Sequence, residues 1–333
     1  MTLTSYGDLA QSMLLRRHQA ALKSEMTILS TEVSTGRTSD TARHLGGNLT
    51  SLTAIDASLA RIKAYRTVSS QAALIAQTMQ TSLSTLGDLA TGLGPTLLTV
   101  GTLSGQQSLD AVAAEGRQAF ASAISALNVR VADRSVFAGV ETTGAATAKA
   151  DDILAALTTA TAGTTTAAGV AAAIGAWFDD LAGYAASAYL GGAGRGAVSI
   201  AAGETVALNT TATDPAIVEV LKGLAMAALL DLGALAGNDT ERAALATAAG
   251  EQLAEAENDR AHLAARIGTV EAHIAAGTAR NEAEYTALSV ARTGLIAVDP
   301  YEVSTRLEEA ETQLQLLYAV TARMTRLTLA DYL

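Results

Sequence analysis

Two rows of apolar residues at seven-residue spacing mark the C-terminal end of the chain, Val303/Ala310/Leu317/Met324 and Leu307/Leu314/Thr321, interleaved by alternating steps of four and three. That is the pattern of a coiled-coil seam. Asp299-Pro300-Tyr301-Glu302 predicts where the helix begins: a carboxylate at the N-cap, a proline at the first helical position where no amide hydrogen is needed, and a glutamate two positions further on. A helix of about thirty residues is roughly 45 Å long at 1.5 Å per residue, and its single stripe needs a helical partner. The other end of the chain supplies one. Leu15/Leu22/Leu29 and Gln19/Met26/Val33 repeat the spacing, with Arg16, Arg17, Lys23, Ser24 and Ser30 between them.

Between the two ends the pattern stays mostly helical. From His44 to about Leu93 it reads as one or two helices, with Leu52/Leu59 and Ile55/Ile62 continuing a seam, broken at Gly92-Leu93-Gly94-Pro95. A helix is expected over Ser108–Val131 with Val112, Phe120, Ile124, Leu127 and Val131 on one stripe, followed by a short extended exit through Val136-Phe137-Ala138-Gly139. Residues 141–213 change texture. Thr/Ala/Gly clusters, a helix-like Ala171–Asp180, and an extended pair turning at Ala202-Gly203-Glu204 predict a small α+β insert in a surface connection, with partial disorder as the alternative. Asp214-Pro215 starts a helix through about Leu232 with Ile217, Val220, Leu221, Leu224, Leu229 and Leu230 on its buried side. A long helix follows from Glu241 to about Val298, with Gly268 and Gly277 inside it.

Composition narrows the function more than the fold. Of 333 residues 49% are apolar but only 4% aromatic, which favours closely packed helices over a bulky core. There is no cysteine, so disulfides and thiolate metal sites are excluded. With 22 basic against 33 acidic residues the formal charge is −11, and no basic tract occurs, which argues against nucleic acid as a partner. No apolar run reaches the roughly twenty residues that span a bilayer, and no basic segment leads into an apolar core, so neither a membrane partner nor a cleaved signal peptide is expected.

Candidate chemistry is sparse. His262 and His273 share a helical face but stand three turns apart, about 16 Å at 1.5 Å per residue, too far to share a metal. Gly191-Gly192-Ala193-Gly194-Arg195-Gly196 lacks the Lys-Ser/Thr ending of a phosphate loop and precedes a strand, so it reads as a flexible turn. Asp151-Asp152 and Asp179-Asp180 lack calcium-loop spacing and read as solvated faces or caps. No catalytic residue, cofactor or metal is assigned. The expected working surface is the seams themselves: Leu15, Leu22, Met26, Leu29, Val33, Val303, Leu307, Leu314, Leu317, Met324 and Leu327.

Three short motifs in order give these seams a context: Val33-Ser34-Thr35-Gly36-Arg37-Thr38-Ser39-Asp40, Asp133-Arg134-Ser135-Val136-Phe137-Ala138-Gly139, and the ending Leu327-Thr328-Leu329-Ala330-Asp331-Tyr332-Leu333. They resemble the bacterial flagellin superfamily, most closely its hook-associated members at the hook–filament junction, over roughly residues 10–140 and 215–333. The turn after Gly36 is shorter than the family's usual one. The fold expected is mainly α, a long antiparallel helical bundle or coiled coil built from both chain ends, with a small α+β insert domain. The domains expected are 1–35 plus 299–333 as a terminal coiled coil, 36–140 plus 214–298 as a helical rod, and 141–213 as a variable outer insert.

The resemblance implies a structural, non-enzymatic flagellar protein that self-assembles into an adaptor ring. Its implied partners are a neighbouring hook-associated protein on the hook side, flagellin on the filament side, and a cytoplasmic export chaperone on the C-terminal helix. It further implies export through the flagellar channel to an extracellular position. A divergent flagellin that forms the filament is the first alternative, and a cytoplasmic coiled-coil scaffold or signalling protein the second.

Overall fold

The computed structural model describes the backbone of residues 3–103 and 106–330 and the side chains of 10–102 and 107–324. The chain is mainly α, as its periodicity predicts. It divides into two compact units, residues 1–63 with 283–333 and residues 64–282.

The first unit is built from α1 (Leu3–Thr35), the four-residue α2 (Thr41–His44), the start of α3 (Thr50–Leu103), the end of α9 (Asp239–Ile296) and α10 (Pro300–Ala330). α1 and α10 pack along each other. At the start of α10 the Tyr301 amide donates to Asp299 Oδ1 at 2.8 Å, the cap that the Asp-Pro pair predicts. Between α1 and α2, Gly36 turns the chain at φ +66. The turn is pinned to the end of α9 by the Thr38 amide on the Ile296 carbonyl at 2.9 Å and the Val298 amide on the Gly36 carbonyl at 3.2 Å.

The second unit holds one extensive core. α3 and α9 run antiparallel through it, as successive contacts show: Gln80 Nε2 donates to the Ala264 carbonyl at 2.7 Å, Arg260 Nη1 to the Leu83 carbonyl at 3.1 Å, and Gly94 faces Gly250. The expected break at Gly92–Pro95 does not occur, and α3 continues to Leu103. Burial decides this. Leu93, Leu97 and Val100 all lie in the core, and a Cβ at Gly250 would come within 2.9 Å of the Gly94 carbonyl oxygen. Gly250 thus allows the close helix approach, and packing outweighs the roughly 3 kcal/mol that an interior proline costs.

α4 (Gln106–Leu127) ends four residues short of its expected limit. Asn128 leaves the helix to bond the next segment, its Oδ1 accepting from the Thr147 amide at 2.9 Å. A two-residue turn with φ +47 at Ala132 and +61 at Asp133 then closes a hairpin of β1 (Arg130–Val131) and β2 (Arg134–Ser135). Positive φ at both turn positions suits the right-handed twist of the flanking strands.

Residues 141–213 are ordered, and they have no core of their own. α5 (Ala150–Ala160), hidden in sequence by its threonines, and α6 (Ala167–Asp179) bury Ile153, Leu154, Leu157, Val170, Ile174 and Phe178 in the same core as α3, α4 and α9. Trp177, the chain's single tryptophan, lies edge-on to Phe178 and Tyr184, the latter at the start of the short α7 (Tyr184–Ser187). The extended pair is present as β3 (Val198–Ala201) and β4 (Glu204–Val206), turning at Gly203 with φ +75. The Ile200 carbonyl fastens it, accepting from Asn281 Nδ2 of α9 at 2.7 Å and from Ser69 Oγ of α3 at 3.2 Å.

α8 (Pro215–Asp231) is capped by Asp214, as expected, but is buried on nearly every side: Val218 and Met226 are inside along with the predicted face. It passes close to α4, where a Cβ at Gly116 would meet that of Ala227 at 2.6 Å. Its one lysine, Lys222, is buried and paired with Asp179 Oδ1 and Glu219 Oε1, each at 2.8 Å. Burial opposes its charge and the two carboxylates more than offset that, so its pKa stays above the ordinary value.

Candidate assembly surface

Part of the predicted seam packs together in the first unit. Leu29, 1% exposed, packs with Val303 and Ala310, and Met26, Val298 and Leu307 close around them. Leu314 is buried, whereas Leu15, Leu22, Leu317 and Met324 are half-buried. The pairing is antiparallel, with Gln11 reaching Met324 at 3.9 Å and Glu25 reaching Arg306 at 3.7 Å. Lys23 lies over the Tyr318 ring, 5.9 Å from its centroid, and hydrogen bonds from Gln19 and Lys23 hold the Tyr318 hydroxyl below its ordinary pKa. The side chain of Leu327 and the Asp331-Tyr332-Leu333 ending lie outside the described residues.

The last heptad position of α1 is not covered within the single chain. Val33 is 36% exposed, and the buried residue is its neighbour Glu32. Its Oε1 accepts from the Ser39 amide at 2.7 Å and from Thr38 Oγ1 at 3.4 Å, so a carboxylate closes the Gly36 turn. A charged residue one step off the seam gives periodicity nothing to detect. The Ser39 and Thr38 donors become visible only once Gly36 reverses the chain. Arg37 is exposed, and its backbone bridges to Ala297.

One face of this helix pair is therefore closed and another is not. Met13, Leu14 and Ile28 of α1 are exposed along with Val33, and so are Leu316, Tyr318 and Val320 of α10. Leu14 and Ile28 stand fourteen residues apart with Ala21 midway, a second apolar row beside the first.

The glycine-rich loop in the second unit is not the free turn that composition suggests. It lies against Phe137-Ala138-Gly139: the Gly192 amide donates to the Ala138 carbonyl at 3.0 Å and the Val140 amide to the Ala193 carbonyl at 2.9 Å. Arg195 Nε donates to the Gly139 carbonyl at 3.1 Å. Gly139 has φ +59, and a Cβ there would lie 2.2 Å from the Ala193 carbonyl oxygen. Glycines on both sides allow the backbones to touch. The four histidines are exposed, and no metal-binding cluster occurs among the described residues. No helix is long and apolar enough to cross a membrane among those residues.

Long helices from both chain ends thus pair antiparallel and leave apolar residues exposed on their outer faces. Residues 251–333 match the family model described as the bacterial flagellin C-terminal helical region. Among solved structures, the fold is similar to a putative flagellar hook-associated protein from Vibrio parahaemolyticus, at 13% identity and a TM-score of 0.52, over 73% of this chain and 95% of that one. A search of curated proteins gave no match. The family match covers the C-terminal quarter of the chain, and the structural match shows a likeness of fold to a hook-associated protein.

Proposed function

We propose that the protein is a structural component of the bacterial flagellum that self-assembles through its terminal helices, as an adaptor ring at the hook–filament junction. The supporting observation is the α1–α10 pair, closed along Leu29/Val303/Ala310 and open along Met13/Leu14/Ile28 and Leu316/Val320. A pair with one closed and one apolar open face is half of an interface that copies of the chain complete. The sequence resemblance to the junction members favours a ring over a filament, with hook-associated protein on one side and flagellin on the other. A C-terminal helix held before export by a cytoplasmic chaperone and passage through the flagellar channel belong to the same reading. The role is scaffolding, not catalysis.

Immunogold labelling of isolated flagella tests it. A single band between hook and filament is expected, and label along the whole filament would assign the protein to the filament instead. Label confined to the cytoplasm would overturn the flagellar reading. Leu317→Asp should prevent assembly, because a carboxylate desolvated at each repeated contact costs several kcal/mol. Cells with that variant should shed unpolymerised flagellin from bare hooks, and normal filaments would remove the seam from the mechanism.

A further inference from the structure

Two surface features of the second unit are complementary in charge and in apolar character. One is a cleft of about 260 Å³ lined by Leu74, Ile75 and Val198 together with Arg134 and Arg195. Leu74 and Val198 are exposed there. Neither arginine forms an ion pair among the described residues. Arg134 Nε donates to Thr142 Oγ1 at 3.2 Å, and Arg195 donates to the Gly139 and Ser135 carbonyls. Burial and the nearby Arg134 hold the Arg195 guanidinium below its ordinary pKa. Two uncompensated cations beside an apolar wall, in a chain of net charge −11, suit a carboxylate with an aliphatic neighbour.

The other feature is the turn between α6 and α7. Leu181 is 84% exposed, the most exposed large apolar side chain among the described residues. Asp179 and Asp180 precede it, both exposed. Asp179 is taken by Lys222, whereas Asp180 uses only Oδ1, accepting from the Ala182 amide at 3.0 Å. The turn is firmly shaped: the Gly183 amide donates to the Asp180 carbonyl at 2.9 Å, and a Cβ at Gly183 would lie 1.9 Å from the Trp177 carbonyl oxygen.

We infer that these are the two halves of one contact between copies of this chain: the Asp180-Leu181 turn of one copy seats in the Arg134/Arg195 cleft of the next. Leu181 lies against Leu74 and Val198, and the free oxygen of Asp180 meets the guanidinium pair. Turn and cleft share no residue, so the contact is head-to-tail. Repetition of such a contact closes a ring or extends a helical row. The inference deepens the self-assembly reading and rests on it only in that copies must meet, since it uses no residue of α1 or α10.

The chain lacks cysteine, so Leu181→Cys with Val198→Cys introduces the only thiols. Mild oxidation of this full-length variant should give a ladder of covalent oligomers, reduced at least about tenfold by adding Asp180→Arg, given the usual cost of losing a desolvated charge pair. Monomers only, an intramolecular disulfide, or a ladder indifferent to Asp180→Arg overturns the contact. A mixing experiment separates it from the terminal seam. Full-length chains that also carry Leu317→Asp are given either Leu181→Asp or Arg134→Glu with Arg195→Glu, with circular dichroism confirming that each is folded. Each alone should be monomeric by ultracentrifugation, and the mixture should form dimers that grow no further, because one turn and one cleft remain. Such dimers support the contact even where the terminal-helix reading fails, and their absence overturns it even where that reading stands. Binding of a fluorescent medium-chain fatty carboxylate by the cleft, without dimers, would assign it to a small amphipathic anion instead.

Discussion

Gly139 carries two constraints at once, a left-handed backbone and a carbonyl oxygen where its Cβ would be, whereas Gly203 carries only the first, with open space around it. Gly139→Ala should therefore cost the left-handed penalty of about 1–2 kcal/mol plus an overpacking term of about 1–3 kcal/mol, and Gly203→Ala the first alone. Thermal unfolding of the two variants measures the difference, and equal losses would show that the loop at Ala193 yields freely. Charge adds a pH dependence at the same scale. The Arg260 hydrogen bond holds Glu257 below its ordinary value of 4.5. A depressed carboxylate contributes stability that is present above the unfolded pKa and lost as pH falls through the folded one. Glu257→Gln should accordingly lower stability at neutral pH and flatten the acid side of the stability curve below about pH 4.5. Tyr184 gives the opposite sign. Burial raises its pKa, so its contribution is complete below the unfolded tyrosine's value near 10 and declines as pH rises beyond it.

Burial along α1 is uneven at the scale of the element: Leu29 and Glu32 are inside, but Leu15 and Leu22 are only half covered. Hydrogen exchange of the free protein should show protection rising along α1 toward Thr35, and brief proteolysis should trim both chain ends and slow near residue 25 and near Ala310. Uniform protection along α1 in a monomeric sample would contradict this gradient. Helices were legible in sequence where one stripe faced one partner, as at Val303/Ala310/Leu314. Reading failed where burial came from several directions. Gly92–Pro95 has the composition of a stop, and the partner whose missing Cβ lets this stretch pack as helix, Gly250, lies far along the chain. α8 looked one-sided because alanines such as Ala225 and Ala227, buried on its other faces, carry little hydrophobic signal. The cleft at Arg134 and Arg195 was equally illegible, since its walls come from α3, the β1–β2 hairpin and β3.

The second unit behaves, at the scale of the whole molecule, as a single core to which residues 141–213 contribute Ile153, Leu157, Ile174, Phe178 and Tyr184. Joining Val140 to Asp214 through a flexible linker should consequently abolish cooperative unfolding of that unit, at about 2–5 kcal/mol for each large core side chain removed. A deletion variant that melts within a few degrees of the parent would mean that this segment is an independent attachment after all. Trp177 adds a practical consequence. The chain's only tryptophan is packed against Phe178 and Tyr184 in the second unit, so tryptophan emission, excited apart from that of the tyrosines, reports on one half of the molecule. Tryptophan emission will follow the melting of the 64–282 core and stay silent while α1 and α10 come apart. A variant such as Leu317→Asp can therefore look fully native in a fluorescence melt and still be unable to build anything.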